Sequence, residues 1–381
     1  MDADVAIVGA GPAGAAAALY LARQGRSVLV FDRRSLPGDK PCGEGLMPRG
    51  SRVLAELGLL APLRARGAPL INGVAFSAGG SGEAFSPFPY EPGIGVRRSI
   101  LEALLVERLR AQPLIDLRDS CAVTAIDYET LTLSAHNRRV SARALIVADG
   151  LRSPLRKAPG WAGRPRSRHR YAMVGHVSTA TSPEPWIRVD IRGGYEVFSA
   201  PSGDRERLVA VLGGKHIFDG PRGIGLEALY RQLSSAAGAL TAPVLATGPF
   251  DVFPARLAQG GTFLVGDAAG FLDPVTGQGI ETALVSARAV SNVIGRMLDG
   301  ELDQCQAADR YAAWHRRAWR RQRRLTSLVL WLTASPGRTR RGLAGLRREP
   351  AALAGLLGIN CGYWGFRRLS VRAWAALLTG R

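Results

Sequence analysis

The first 32 residues constrain the fold of this chain more than any other stretch. Residues 5–8 form a short apolar run, a pattern typical of a parallel strand buried on both faces. The run leads directly into Gly-Ala-Gly-Pro-Ala-Gly at 9–14, and the small side chains of 15–23 are those of a closely packed helix. A second apolar run, 27–31, ends at Asp32. A strand, a glycine turn, a helix and a second strand that ends at an acid together predict a dinucleotide-binding βαβ unit.

Each glycine of this turn has its own physical task. Gly9 permits the tight turn, Gly11 lets a pyrophosphate approach the backbone, and Gly14 lets the helix pack closely on the strand. The helix N-terminus offers free N–H groups and a positive partial charge to the phosphates. Asp32 follows Gly14 by 18 residues and is placed to accept hydrogen bonds from a ribose. The other residues assigned to this cofactor site are Pro12, Ala13 and Arg33.

Composition bounds the architecture and the compartment. At 381 residues the chain is longer than a single hydrophobic core usually allows, so we expect two intertwined lobes and a tail. The four cysteines are widely spaced, with no CxxC pair and no histidine at ligand spacing, which predicts neither a metal site nor a disulfide framework. A strand that begins near residue 4 leaves no room for a signal peptide, and no apolar run approaches the ~20 residues that span a bilayer. We therefore expect a cytoplasmic protein.

Positive charge is concentrated at the C-terminal end. The chain has a formal net charge of +19, and residues 301–381 hold 16 arginines against four acids, a net of +12. Such asymmetry favours nucleic acid, an anionic membrane surface or an acidic substrate as the partner. No RNA-binding or helix-turn-helix signature accompanies the charge, so we predict no nucleic-acid partner.

Two interpretations of the C-terminal region stay open. The segment 314–325 interleaves arginines with two tryptophans. This is typical of a helix that lies on an anionic membrane and gives access to a lipid-soluble substrate. Alternatively, the region is a cap that packs on the catalytic lobe and presents a solvated arginine face. We favour the cap and retain peripheral membrane contact as the alternative.

The rest of the chain alternates between strand-like and helix-like periods. After Asp32 a loop rich in glycine and proline runs to residue 50. Strands are predicted at 73–76, 84–88, 123–127, 130–134, 142–147, 171–178, 186–191, 196–199, 208–212 and 262–265. Helices are predicted at 49–60, in a segment ending near 111, at 224–237 and 278–298, and beyond 301 with breaks at 335–337 and near 362.

These elements group into three regions. Residues 1–165 and 245–300 are predicted to form a discontinuous Rossmann-like domain that binds the nucleotide. Residues 166–244 form a separate β-rich substrate-binding region, to which 70–97 contribute, and 301–381 form a helical, basic C-terminal tail. The predicted fold class is therefore α/β, with a Rossmann-like domain interleaved with a β-sheet substrate domain.

Two further motifs accompany the glycine turn. Val-Ala-Asp-Gly at 147–150 ends a predicted strand, and the third motif, at 264–281, reads Leu-Val-Gly-Asp-Ala-Ala-Gly-Phe-Leu-Asp-Pro-Val-Thr-Gly-Gln-Gly-Ile-Glu. With these three motifs, residues 1–300 resemble the flavoprotein hydroxylase superfamily of p-hydroxybenzoate hydroxylase and the geranylgeranyl reductases. The resemblance implies FAD as the cofactor. Because only one dinucleotide fingerprint is present, we expect NAD(P)H to dock transiently as the reductant.

The resemblance assigns further residues to FAD. A carboxylate at Asp267 is placed for the ribityl hydroxyls, and the turn at 274–280 opens a helix whose N-terminus would face the pyrimidine end of the flavin. Arg98 matches the family position near the cofactor phosphates, although Arg97 is adjacent. Asp149 either lies near the pyrophosphate or caps the turn that follows. The set assigned in this way is Cys42, Gly43, Arg98, Asp149, Gly150, Gly266, Asp267, Pro274, Gly277, Gly279 and Ile280.

The loop Lys-Pro-Cys-Gly-Glu-Gly-Leu at 40–46 bears on the reaction. It looks like the Cys-Gly loop that lies beside the isoalloxazine in geranylgeranyl reductases. Cys42 and Glu44 are therefore the candidate catalytic residues. Packing is the alternative role for Cys42, and a surface charge is the alternative for Glu44. Structural roles are expected for three histidines in or near the predicted substrate sheet, His169, His176 and His216.

Two reactions fit these assignments. The Tyr-x-Trp-x-Phe-Pro stretch of the reductases corresponds here to Tyr-Glu-Val-Phe-Ser-Ala-Pro at 195–201, which lacks the tryptophan. We therefore predict, first, a monooxygenase that hydroxylates an aromatic or lipid-like small molecule with NAD(P)H and O₂ through a flavin C4a-hydroperoxide. The alternative is saturation of isoprenoid double bonds by reduced FAD, as in the geranylgeranyl reductases. Flavin-dependent halogenation and a non-enzymatic flavin scaffold rank below both.

Overall fold

The computed structural model describes residues 1–79, 81–136, 138–158, 160–163, 169–218 and 239–380. Within them the chain forms an eight-stranded, a seven-stranded and a three-stranded sheet, with helices around them. This is the α/β fold with a C-terminal helical region that the sequence predicts. The helix predicted at 224–237 lies outside the described residues.

The strands of the described residues include a counterpart of every strand predicted from the sequence. In chain order they are β1 Ala3–Val8, β2 Val28–Phe31, β3 Gly45–Leu46, β4 Leu70–Ile71, β5 Gly73–Ala78, β6 Ser81–Pro87, β7 Gly93–Gly95, β8 Ile115–Arg118, β9 Val123–Asp127, β10 Thr132–Ala135, β11 Arg138–Val147, β12 Arg170–Ser178, β13 Trp186–Arg192, β14 Tyr195–Gly203, β15 Glu206–Gly214, β16 Leu245–Thr247, β17 Ala258–Gln259 and β18 Thr262–Leu264. The helices are α1 Pro12–Arg23, α2 Pro48–Glu56, α3 Leu60–Ala65, α4 Arg98–Arg110, α5 Gly279–Leu298, α6 Gln304–Thr333, α7 Pro336–Arg348, α8 Pro350–Asn360 and α9 Val371–Thr379.

The eight-stranded sheet carries the glycine turn. Its strand order is β17-β18-β11-β1-β2-β8, and β9 and β10 extend β11 as an antiparallel excursion. Strand β1 pairs in parallel with both β11 and β2, so its apolar residues are covered on both faces. Helices α1 and α5 pack against each other on this sheet, where the small residues of α1 permit an approach close enough for Ser291 Oγ to donate to the Ala17 carbonyl oxygen at 3.2 Å.

The seven-stranded sheet is built from distant parts of the chain. Its order is β16-β12-β15-β14-β13-β5-β6, and all neighbours are antiparallel except β13 and β5. Strands β5 and β6 precede the other strands of this sheet in the chain and join it through the pairing of β5 with β13. The division into domains at 1–165, 166–244, 245–300 and 301–381 stays a prediction.

The C-terminal helices form a layer over the seven-stranded sheet. Helices α7 and α8 contact β5 and β6, and Leu343 and Leu353 share one apolar cluster with Val74 and Ile187. Proline starts α7 and also α8, where it adds a break at 349–350 that the sequence analysis did not predict. None of the helices in the described part of the chain has the length and apolarity that crossing a membrane requires.

Local differences from the predicted elements include a divided helix and an unpredicted strand. The helix predicted at 49–60 is divided into α2 and α3, because Gly58 between them takes a φ of +72° that a helix does not accommodate. Strand β8 was not predicted, since its Ile-Asp-Leu-Arg sequence is short and half polar. It is held in place as the edge strand beside β2.

Candidate functional site

A cavity of about 510 Å³ runs from the glycine turn to the C-terminal helices. The turn, the 40–47 loop and the motifs at 149–150 and 274–280 line one part of it. The seven-stranded sheet and helices α6 to α8 line the rest. The first part has charged residues in its wall, whereas the second is almost wholly apolar.

The glycine turn has the geometry that a dinucleotide requires. Gly9 has a φ of +104°, and a Cβ there would lie 2.4 Å from the Ala148 carbonyl oxygen. A Cβ on Gly14 would lie 1.8 Å from the carbonyl oxygen of Gly9, so the helix start and the strand end are in contact. In front of Gly11 the space is open, since a Cβ there would meet only Arg98 Nη2, at 4.0 Å.

Asp32 lies beneath the turn and does not line the cavity. Its Oδ2 accepts a hydrogen bond from the Ala10 N–H, and its Oδ1 accepts one from the Arg34 N–H, both at 2.9 Å. Burial opposes ionisation of Asp32, but these hydrogen bonds and the charge of Arg34 outweigh it and lower the pKa of the carboxyl. Asp32 is therefore an anion that fixes the shape of the turn, and its predicted contact with a ribose stays a prediction.

Arg98 supplies a buried cation next to Gly11. Its Nη2 lies 2.7 Å from Oε2 of the fully buried Glu102, and Arg34 Nη2 lies 2.7 Å from the other oxygen of Glu102. Arg98 Nη1, by contrast, has no hydrogen-bond partner among the described residues. A buried guanidinium with an unused N–H group, facing an open glycine turn, fits a phosphate.

The second and third motifs place two carboxylates on the cavity wall. Burial raises the pKa of Asp267 to about 6, although Lys40, Arg156 and Arg98 oppose the rise. Burial also raises the pKa of Asp149. A buried carboxyl group has lost its hydration. Hydrogen bonds to hydroxyl or N–H groups of a ligand would compensate for that loss.

The 274–280 turn ends at a helix N-terminus that faces the cavity. Asp273 Oδ1 accepts a hydrogen bond from the Val275 N–H at 3.0 Å and fixes the turn. Gly277 then takes a left-handed φ of +65°, and α5 begins at Gly279. Because the first N–H groups of a helix lack partners within it, this end of α5 is a site for negative charge.

Cys42 lies deep in the molecule but faces the cavity, which leaves part of its surface accessible. Its Sγ accepts a hydrogen bond from the Glu44 N–H at 3.4 Å. Burial, with the neighbouring charge of Glu44, raises the pKa of the thiol to about 12. Cys42 is therefore a neutral thiol at physiological pH and not a nucleophilic thiolate.

Glu44 is buried and paired with a histidine that the sequence analysis assigned to a structural role. Glu44 Oε2 lies 2.8 Å from His176 Nε2, and its Oε1 accepts a hydrogen bond from the Arg98 N–H at 2.7 Å. Burial raises the pKa of Glu44 although His176 lowers it. The alternative of an exposed loop charge for Glu44 is wrong, because only 3% of this residue is exposed.

A period-2 pattern could have indicated His176. Ala172 and Val174 of β12 line the cavity, and His176 follows on the same face of the strand. A histidine at such a position in an otherwise apolar strand signals a buried polar partner. None of the three histidines His169, His176 and His216 lines the cavity itself.

The remaining wall of the cavity is apolar. From the seven-stranded sheet it includes Val74, Phe76, Val174, Ile187, Val189 and Phe198. From α6, α7 and α8 it includes Leu325, Val329, Leu332, Leu343, Leu346 and Leu353. The C-terminal helices, for which the sequence favoured a cap that packs on the catalytic lobe, thus supply one side of the cavity, and no motif in 301–381 indicated that they line it.

The structure brings most of the predicted site residues together on this cavity. Those that line it are Gly11, Pro12, Ala13, Arg33, Cys42, Gly43, Glu44, Arg98, Asp149, Gly150, Asp267, Pro274, Gly277, Gly279 and Ile280. Those that lie behind the lining are Gly9, Gly14, Asp32 and Gly266. The residues present fit FAD, since an open glycine turn, an unused guanidinium N–H group and a helix N-terminus follow one another along the wall.

Comparison with known proteins identifies the family. A family described as FAD binding domain matches residues 2–324. The menaquinone reductase of Mycobacterium tuberculosis is 34% identical over 353 residues, which cover 81% of this chain and 81% of that protein. Digeranylgeranylglycerophospholipid reductase 1 of Methanopyrus kandleri is 28% identical over 340 residues, with coverage of 82% and 85%.

A solved structure gives the same fold. The flavoprotein/dehydrogenase of Cytophaga hutchinsonii covers 96% of this chain and 96% of its own, with a TM-score of 0.81 at 20% identity. At that identity the likeness concerns the fold alone. The predicted resemblance and the predicted cofactor are confirmed by the family match, and NAD(P)H is the reductant typical of the family. The chain therefore belongs to the FAD-binding family of p-hydroxybenzoate hydroxylase-like flavoproteins, and it is an FAD-dependent oxidoreductase.

Proposed function

We propose that this enzyme saturates a carbon–carbon double bond in the isoprenoid chain of a prenylated lipid. The observation that carries the proposal is the apolar part of the cavity, which leads from Cys42 and Glu44 to the leucines of α6, α7 and α8. An isoprenoid chain has no hydrogen-bonding groups, so its recognition depends on buried apolar area, at about 25 cal/mol per Å². A wall of branched aliphatic side chains supplies that area.

The similar proteins favour the same class of substrate. Two relatives that align with more than three-quarters of the chain are named as reductases of menaquinone and of a digeranylgeranyl glycerophospholipid. Both molecules carry polyprenyl chains. The sequence alone favours hydroxylation, because the tryptophan of the reductase stretch is missing at 195–201. The missing tryptophan is weak evidence against a reductase, because the apolar surface of the cavity comes from many residues of the sheet and the helices.

The residues of the glycine turn and its neighbours would hold FAD. Arg98 and the α1 N-terminus would take the phosphates, Asp267 would take ribityl hydroxyls, and the N-terminus of α5 would lie against the flavin ring. When reduced, bound FAD supplies a hydride to one carbon of the double bond. Saturation also needs a proton on the other carbon, and that proton has to come from the protein or from water.

Cys42 and Glu44 are two groups of the cavity wall that can hold a proton. The thiol of Cys42 is protonated at neutral pH, since its pKa is about 12. Burial raises the pKa of Glu44 and favours its protonated form as well. The apolar wall excludes water around them, so the proton goes to the substrate and not to solvent.

An anaerobic single-turnover experiment tests the proposed reaction. FAD-loaded protein is reduced with dithionite and mixed with menaquinone in detergent, and the lipid is examined by mass spectrometry. Because dithionite also reduces the quinone head to a quinol, the extracted lipid is first reoxidised in air, which restores the quinone. We expect the reoxidised lipid to keep the mass of two additional hydrogen atoms, gained in the isoprenoid chain without O₂. A lipid that stays unchanged would contradict the proposed reaction, and a lipid that gains one oxygen atom only when O₂ is admitted would replace reduction by hydroxylation. Alanine at Leu346, far from Cys42 and Glu44 in sequence, checks that the cavity wall and not the detergent selects the substrate.

We also propose that the outer face of the C-terminal helices rests on an anionic membrane. Among the described residues, the exposed arginines of these helices have no acidic side chain within ion-pair distance. Three exposed apolar residues lie on the same helices: Trp331, Val371 and Leu378. Unpaired cations with exposed apolar side chains are typical of a surface that binds anionic phospholipid. The exposed arginines are Arg310, Arg316, Arg317, Arg320, Arg323, Arg324, Arg340, Arg341, Arg347, Arg348 and Arg372.

Sedimentation with liposomes tests this contact. Vesicles of phosphatidylglycerol should carry the protein down at low salt and release it at high salt, because screening weakens the attraction. Glutamine at Arg320, Arg323 and Arg324 together should weaken binding by about a hundredfold, at about 1 kcal/mol for each cation. Glutamine at three exposed arginines elsewhere (Arg108, Arg138 and Arg139) is the control. If both triple variants lose liposome binding equally, or if the protein does not bind at low salt, this face does not contact the membrane.

A further inference from the structure

Glu44 and His176 form a buried pair from two separate parts of the chain. Glu44 belongs to the loop after β2 and His176 to β12 of the seven-stranded sheet, and they are 132 positions apart. The distance from Glu44 Oε2 to His176 Nε2 is 2.8 Å, and the exposed fractions of the two residues are 3% and 4%. Glu44 lines the cavity, whereas His176 does not. The histidine can therefore act on a ligand only through Glu44.

The backbone holds Glu44 in a conformation that glutamate rarely adopts. Its φ is +54°, in the left-handed region that favours glycine. Glycine stands on both sides of it, at 43 and 45, yet glutamate occupies the position. A strained residue of this kind persists where the surroundings fix its side chain. Here each carboxyl oxygen has its own partner, and the partners come from different elements.

The two partners have different chemical characters. Glu44 Oε1 accepts from the N–H of Arg98, the first residue of α4. A helix N-terminus stabilises a carboxylate and cannot give up a proton. The partner of Oε2, by contrast, is the imidazole of His176, a group that can both accept and donate a proton. The site can thus carry one proton on Glu44 or His176, and α4 stabilises the anion that remains when the proton leaves.

We propose that His176 is a positioning residue that, together with Glu44, holds the proton delivered to the substrate double bond. The inference rests on the proposed function. In the balanced step, the π bond breaks and two C–H bonds form. One takes the hydride and both electrons from the reduced cofactor, which is oxidised, and the other takes the proton of the pair. Solvent restores the proton after the product leaves.

The neighbouring groups define the pH dependence. Among the described residues, the titratable groups next to Glu44 include His176, the Cys42 thiol and Asp39 of the same loop, and the Arg98 backbone N–H donates to its carboxyl. One proton shared by two sites is lost at a higher pH than a proton held by either site alone. The rate of saturation should therefore fall at high pH, and removal of one site should move that fall to lower pH.

Single-turnover rates across pH test the proposal. His176→Gln keeps an N–H donor for Glu44 but does not titrate, and His176→Leu removes the donor as well. We expect His176→Gln to bind FAD normally and to lose rate at lower pH than the wild type. We expect His176→Leu to be slower by about a hundredfold, within the usual range for proton transfer from a positioned group. His216→Gln, at an exposed histidine outside the cavity, is the control and should leave the profile unchanged.

A second readout separates this inference from the proposed function. The ¹⁵N resonances of the His176 ring, titrated in the oxidised holoenzyme, should change when Glu44→Gln removes the carboxylate. If the wild type saturates no isoprenoid at all, the proposed function fails, and the resonances alone then report whether the pair shares a proton. If the wild type is active but both His176 variants keep its rate and pH profile, the inference is overturned while the proposed function stands.

Discussion

At the scale of the single residue, Gly14 has no room for a side chain. The helix that follows the turn lies so close to Gly9 that a Cβ on Gly14 would be 1.8 Å from its carbonyl oxygen. Backbone atoms cannot yield as a flexible side chain does, so the clash has to move α1 away from β1. The N–H groups at the start of α1 would move with it.

We expect Gly14→Ala to purify with little or no FAD and to lose about 1–3 kcal/mol of the free energy of unfolding, as overpacked sites do. The ratio of flavin to protein absorbance and urea unfolding measure the two effects. Gly193→Ala is the control, because no atom lies within 4 Å of a Cβ there. A Gly14→Ala protein that retains a full complement of FAD would contradict the role assigned to the turn.

Two adjacent arginines permit a sharper test of the phosphate contact. Arg98 Nη1 has no partner among the described residues, whereas Arg97 Nη1 lies 2.7 Å from Glu206 Oε2 on the other sheet. We expect Arg98→Gln to raise the dissociation constant of FAD about 10- to 100-fold, the value of one hydrogen bond to a charged group. Arg97→Gln should change it less than about threefold. Fluorescence titration of the apoprotein with FAD measures both dissociation constants. Equal weakening in the two variants would contradict a specific contact between Arg98 and a phosphate.

At the scale of the element, helix α6 has two different faces. One side presents Leu325, Val329 and Leu332 to the cavity, and the other presents exposed arginines. A helix of this kind is held in place by its apolar stripe and leaves its charged face to a partner or to solvent. Changes on the two faces should therefore have separate consequences.

We expect Val329→Trp to shorten the isoprenoid chain that the enzyme accepts, because the added rings fill the cavity. Competition between menaquinones with short and long side chains, followed by mass spectrometry, measures the preference. Ser327→Trp, two positions earlier on the exposed side of α6, is the matched control and should leave the preference unchanged. If Val329→Trp leaves the preference unchanged, the isoprenoid chain does not bind beside Val329.

Local signals account for what the sequence could predict at this scale. The glycine turn and the motifs at 149–150 and 266–267 are each made by neighbouring residues, so they are visible in the sequence, and the resemblance to the flavoprotein hydroxylases assigns them to one cofactor. Glu44 and His176 meet only because β12 lies beside the 40–47 loop, and no local pattern contains that contact. The cavity face of α6 was missed for a similar reason: the sequence shows an apolar stripe but does not show what the stripe faces.

At the scale of the whole molecule, one buried ion cluster joins the seven-stranded sheet to the flavin-side turn. Arg170 of β12 pairs with Glu196 of β14, and its Nε lies 2.9 Å from Oδ2 of Asp273, just before the 274–280 turn. All three residues are largely buried, and the two carboxylates depend on Arg170 for compensation. The cluster therefore fixes the seven-stranded sheet relative to the 274–280 turn.

We expect Arg170→Met to lower the free energy of unfolding by about 3–5 kcal/mol, because it leaves two buried carboxylates without their cation. The triple variant Arg170→Met, Glu196→Gln, Asp273→Asn should lose less, although it removes more interactions. Arg188→Met, which breaks exposed ion pairs, should cost at most about 1 kcal/mol. Urea unfolding of the holoenzyme measures all three. A triple variant that is less stable than Arg170→Met would contradict the explanation.

The C-terminal layer also bears on how such an enzyme changes over evolutionary time. The wall that α6, α7 and α8 give to the cavity comes from one contiguous segment, 304–360, while the motifs that hold the cofactor all precede residue 282. A recombination event or a run of substitutions within that segment can change the helical side of the cavity without altering the residues assigned to FAD. The heritable information for that side of the cavity and for the cofactor site is therefore separable, and the two can diverge at different rates.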